Sequence, residues 1–91
     1  MTEFRVRKDT EPKKLASAIF STIKNNKSLE LSCLGVAPVN QAIKAYIDAK
    51  ALAIQTGLHL TIDPIFRNAV IDSDNTEKTL IVFVISKKEE S

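Results

Sequence analysis

The residues of this chain best suited to chemistry are cations and amides, and the chemistry they suit is recognition of phosphates and base edges. Arg5, Arg7 and Lys8 lie close together, and Lys13 and Lys14 follow the first proline, Pro12. Such side chains hold phosphate through charge-assisted hydrogen bonds, Arg as a two-point fork and Lys as a point charge. Asn40, Gln41 and Lys44 form a second group. Amides and a lysine near the start of a helix can meet phosphate or a base edge. An ordinary role stands beside each of these: solvated charge for the cations, and hydrogen bonds across a dimer interface for Asn40 and Gln41.

Catalytic and metal-binding constellations do not assemble. Cys33 is the single cysteine, which excludes an internal disulfide and a thiolate zinc cluster. Its place in the run Leu29–Leu34 marks it as a small buried hydrophobe. His59 is also single, with no carboxylate spaced to support metal or general-base work. Asp72-Ser73-Asp74-Asn75 echoes the opening of a calcium loop but lacks the mid-loop Gly and terminal Glu, so it reads as a turn. Gly35 and Gly57 are the only glycines, too few for a phosphate-cradling loop. The expectation is a protein that is not an enzyme and holds no cofactor or metal. A small-molecule role around Gly35–Lys44 ranks last, since it needs a pocket of convergent polar groups.

The elements that must position these residues follow from periodicity. Thr2–Lys8 alternates, with Phe4 and Val6 on one side and Arg5 and Arg7 on the other, as in a half-buried strand. Asp9 or Thr10 is the expected cap of a helix with Pro12 in its first turn. That helix reaches Asn25, with Leu15, Ala16, Ile19, Phe20 and Ile23 inward. Leu29–Gly35 reads as a second strand. Pro38 then falls in the first turn of a helix that runs to Gln55, with Gly57 as a left-handed terminator. This second helix is apolar nearly all round, so it needs cover on two sides; Tyr46, Ala49 and Ala53 are the expected contacts with a second subunit. Leu58–Ile71 is a third strand, with Pro64 marking an edge or a bulge. A turn over Asp72–Thr76 leads to Thr79–Ile85, a central strand apolar on both faces. Lys87–Ser91 reads as a frayed charged tail. The order is βαβαββ, in one domain spanning residues 1–91, with no repeat or low-complexity segment.

Composition narrows the partners. The 91 residues carry thirteen Lys/Arg against eleven Asp/Glu, a net charge of +2, which is only a weak lean toward polyanions. Aromatic residues are few: Phe4, Phe20, Phe66, Phe83 and Tyr46, with no Trp. Most of the Phe side chains should be needed for packing, which leaves little for base stacking. Neither a leader nor a membrane-length apolar stretch is evident, so the expected location is cytoplasmic and no membrane is implied.

The most distinctive stretch is Gly35-Val36-Ala37-Pro38-Val39-Asn40-Gln41-Ala42-Ile43-Lys44-Ala45. It resembles the signature of the stage V sporulation protein S (SpoVS) family, whose Asn-Gln-Ala-Ile-Lys-Ala hexapeptide Asn40–Ala45 reproduces. The likeness extends to the Leu15–Ile23 helix, the restart at Gly57–Leu60, Pro64 and the apolar last strand. Ala37 is a departure, standing where the family loop usually has a second Gly; with Pro38 it stiffens the loop.

The resemblance implies an Alba-type two-layer α/β (α+β) sandwich, a four-stranded mixed sheet packed by two helices. It also implies a homodimer that binds DNA or RNA in a regulatory role. Two features differ from archaeal Alba proteins. Their lysine pair precedes the first-helix proline, whereas here Thr10-Glu11 precede Pro12 and Lys13-Lys14 follow it. Their last hairpin is often basic at its tip, whereas here the tip carries Asp72, Asp74 and Glu77, which phosphate repels. The competing expectation is a protein–protein interaction module that oligomerises through its second helix without nucleic acid.

Overall fold

The computed structural model describes residues 2–70 and 76–89. Asp72, Ser73, Asp74 and Asn75 of the expected acidic turn, and the end of the expected tail, lie outside the described residues. The elements are β1 (Thr2–Val6), α1 (Pro12–Ile23), β2 (Ser28–Cys33), α2 (Val36–Ile54), β3 (Leu58–Val70) and β4 (Glu77–Glu89). They form the expected βαβαββ arrangement, with one sheet ordered β1-β2-β4-β3. β1 and β2 pair in parallel, whereas β4 pairs antiparallel to both β2 and β3. No helix among the described residues is long and apolar enough to cross a membrane.

One face of the sheet carries the core. Val6, Leu29, Leu31, Cys33, Leu60, Phe83 and Ile85 meet Leu15, Ala16, Ile19 and Ile23 of α1 and Ala42, Ala45, Ala49 and Ala53 of α2. The alternation read in β1 is what puts Val6 inward and leaves Arg5 exposed. The four alanines lie on one stripe of α2, and their small side chains let the helix approach both α1 and the sheet. Val39 and Ile43 of α2 are half-buried against this core, whereas Val36, Ile47 and Ile54 point outward and are 87%, 58% and 54% exposed.

Several expected boundaries shift. β1 ends at Val6, so Arg7 and Lys8 leave the strand and enter the loop before α1. Neither Asp9 nor Thr10 caps α1. The cap position is Glu11, which makes no side-chain capping bond, because Thr10 closes the preceding turn instead. Its Oγ1 accepts from the Arg7 N–H at 2.8 Å, and its own N–H donates to the Arg7 carbonyl at 3.1 Å. Pro12 follows with no N–H to satisfy.

Lys87, Lys88 and Glu89 are not a frayed tail. They extend β4 and lie opposite Leu60, His59 and Leu58 of β3. The Lys87 ammonium also donates to the Lys24 carbonyl at 2.8 Å. Pro64 lies on an edge strand whose pairing runs unbroken from Asp63 through Ile65, so the edge rather than a bulge accommodates its missing N–H.

Candidate nucleic-acid interface

β1 and β2 point the same way, and each is followed by a helix, so their outgoing loops share one end of the sheet. Crevices beyond the carboxyl ends of strands are where α/β folds commonly take ligands. Here a cleft of about 400 Å³ is lined by Arg5, Arg7 and Lys8 on one side and Leu34–Pro38 on the other. All three cations are exposed. None of the three side chains has a hydrogen bond or ion pair among the described residues. The Thr10 turn holds Arg7 and Lys8 at the cleft mouth. Gly35 opens α2 with φ of +93°, a conformation that glycine adopts without a Cβ clash.

The amides and lysines read from the sequence take different places. Gln41 Nε2 donates to the Thr10 carbonyl at 3.0 Å. It ties α2 to the loop that carries Arg7 and Lys8, a positioning role. Asn40 is exposed on α2, one residue from that tie. Lys13 and Lys44 line a separate groove with Pro12, Ile47 and Asp48, and the Lys13 ammonium is 3.9 Å from the Asp48 carboxylate. Lys14 pairs with Glu11 at 2.8 Å, and that hydrogen bond and charge raise its pKa. The structure therefore gathers Arg5, Arg7 and Lys8 and separates the lysines of the first helix from them.

The expected subunit contacts need correction. Ala49 and Ala53 are completely buried within the chain, so neither offers surface to a partner. Tyr46 is half-buried and donates its hydroxyl to the Leu60 carbonyl at 3.0 Å, which fastens α2 to β3; burial raises its pKa. Helix α2 faces inward with its small residues, and periodicity alone does not reveal which side of an all-apolar helix that is.

Phe66 was missed by the sequence reading. Phe83 is buried, Phe4 and Phe20 are half-buried, yet Phe66 on β3 is 78% exposed. β2 follows β4 only as far as Cys33 opposite Ile81, whereas β3 and β4 stay paired out to Val70 and Glu77. Phe66, opposite Ile81, thus stands where the body of the sheet gives way to a two-stranded arm. A second cleft of about 360 Å³ lies against it, bounded by Cys33, Gly35, Val36, Val39, Thr79 and Ile81. Its exposure follows from the unequal lengths of β2 and β4, which no local pattern reports.

Burial pushes the Cys33 thiol up to about 11, so it stays protonated near neutral pH. Among the described residues, no group of three His, Cys, Asp or Glu side chains is placed to hold a metal ion. The family model of stage V sporulation protein S (SpoVS) matches residues 2–88.

Proposed function

The chain belongs to the stage V sporulation protein S family, and from that premise we propose that this small sporulation-related protein binds nucleic acid as a non-enzymatic regulator. The observation that carries the reading is the cleft with three cations at its rim, Arg5, Arg7 and Lys8, none of them neutralised by a carboxylate among the described residues. Unpaired cations on a concave surface attract polyanions even when net charge is near zero, because the local potential decides the encounter. The Thr10 turn and the Gln41 tie hold this rim in place.

The reading includes a homodimer. The exposed Ile47 and Ile54 on the outward side of α2 give the chain an apolar surface for a second copy. Pairing would set two cationic clefts on one particle and raise its avidity for a long polyanion.

Anisotropy of labelled DNA and RNA over a salt series tests the proposal. Three phosphate contacts per site predict a log–log salt slope of about −3 on duplex and about −2 on a single strand. Arg5→Gln with Arg7→Gln should remove most of the affinity and flatten the slope. Absence of binding at low salt would overturn the reading. The same exposed aliphatic residues of α2 would then favour a protein–protein interaction module that oligomerises without nucleic acid.

A further inference from the structure

The cationic cleft does not stand alone. Its far wall, Gly35 and Val36, is also a wall of the apolar cleft under Phe66. The two depressions therefore meet over the start of α2, one rimmed by Arg5, Arg7 and Lys8, the other by an exposed aromatic ring. The floor between them is open: a Cβ built on Gly35 would meet nothing within 4 Å. The strand order β1-β2-β4-β3 sets the spacing. Three interstrand steps of about 4.8 Å put the end of β1 roughly 14 Å from Phe66 on β3. A polyanion with flat apolar groups hung along it matches that layout, charge at one end and a ring at the other.

We infer that this joined surface takes a single-stranded nucleic acid, with backbone phosphates at Arg5, Arg7 and Lys8 and an unpaired base stacked on Phe66. The inference rests on the nucleic-acid reading above and adds the class of strand. Bases in a duplex are stacked on one another and cannot reach a side chain's face, whereas unpaired bases stack on aromatic rings with little sequence preference. The ring is 78% exposed on an edge strand, so its removal leaves the core untouched. Thr79 on the same cleft is held by Asn68, its Oγ1 donating to Asn68 Oδ1 at 2.9 Å, which gives the arm a fixed polar margin beside the ring.

The test compares three labelled probes of equal length on the full chain: an ordinary single strand, a single strand with abasic sites throughout, and a duplex. The ordinary strand should bind more tightly than the abasic one, by about 5- to 150-fold for one stacked base. Phe66→Ala should bring the ordinary strand down to the abasic level and leave the abasic strand and the duplex unchanged; Phe66→Trp should retain the difference. Equal affinity for ordinary and abasic strands, or a difference that survives Phe66→Ala, overturns the stacking inference while the phosphate reading stands. A Phe66→Ala chain that keeps the difference but turns from dimer to monomer on sizing assigns the ring to a second copy and overturns the inference too. If no probe binds at low salt, the phosphate reading falls and takes the inference with it.

Discussion

Arg67 on β3 and Glu30 on β2 are separated by the whole of β4, yet they meet in a two-point ion pair, Nη1 to Oε1 at 2.7 Å and Nη2 to Oε2 at 2.9 Å. Register puts Glu30 beside Val84 and Arg67 beside Leu80, so the bridge passes over Val82 on the sheet face away from the helices. Val82 is fully enclosed and Ser32 nearly so. The pair thus covers apolar surface on a face that no helix protects.

Acid should loosen this clamp. Hydrogen bonding from the Arg67 guanidinium holds the Glu30 carboxyl below the usual carboxylate range, against the opposing effect of desolvation. A group whose folded pKa is depressed adds stability above its unfolded value, about 4.3 for Glu, and loses it as pH falls through the folded value. Thermal unfolding from neutral pH to about pH 3 should show Tm falling over that window. Glu30→Gln should start lower at neutral pH and show a shallower acid decline. An identical decline in both proteins would show that the pair contributes nothing to acid sensitivity.

The inverted packing of α2 gives a second prediction. Ala49 has no room, so Ala49→Leu should cost about 1–3 kcal/mol by overpacking. Ile47→Ala, at a site more than half exposed, should change the stability of the isolated fold by less than about 0.5 kcal/mol. Urea unfolding at low protein concentration measures both. Costs in the reverse order would mean that the helix is rotated from the orientation described.

Ile47→Asp together with Ile54→Asp tests the proposed dimer. The pair should shift the chain to monomer on sizing, with the far-UV spectrum unchanged, because both side chains point away from the core. A dimer that persists would place the contact elsewhere.

Gly35 should resist substitution for a backbone reason alone. Its φ of +93° is strained for an L side chain, while the space around a new Cβ is empty. Gly35→Ala should cost about 1–3 kcal/mol and Gly35→Asn about as much, since a ψ of 178° places this residue outside the left-handed helical region that Asn tolerates. Equal stability of Gly35→Ala and the parent would show that the loop relaxes.

Cys33 should be silent toward thiol reagents in the folded protein. It is 1% exposed and its pKa is pushed up to about 11, so thiolate is scarce at neutral pH and reagents cannot reach it. Labelling should follow the unfolding curve in urea. The sign of the pH effect is opposite to that of Glu30: because the folded thiol holds its proton longer, this contribution declines as pH rises above about 8.5. Rapid labelling without denaturant would contradict the burial.

Much of this molecule was legible before folding. Period two in Thr2–Val6, the apolar stripe of Leu15 to Ile23, and the glycines at positions 35 and 57 mark where the chain extends, coils and turns, because each depends on neighbours in sequence. The lone Cys33 as a buried hydrophobe follows from the same local logic. The cations Arg5, Arg7 and Lys8 were visible as a group because one strand and its outgoing loop carry all three.

What the sequence left open depends on contacts between distant residues. Thr10 was free to cap α1 or to close the turn behind it, and the Arg7 backbone decided. Lys87–Glu89 looks like a charged tail until β3 supplies a partner for its backbone. Tyr46, Ala49 and Ala53 looked like interface because an apolar helix has no preferred side until α1 and the sheet choose one. The pairing of Arg67 with Glu30 and the exposure of Phe66 depend on strand order and on the unequal reach of β2 and β4. Local propensity marks which stretches extend and which coil, but pairing between distant strands decides how far β4 runs, and register and layer packing decide which side chains face a ligand and which face the core.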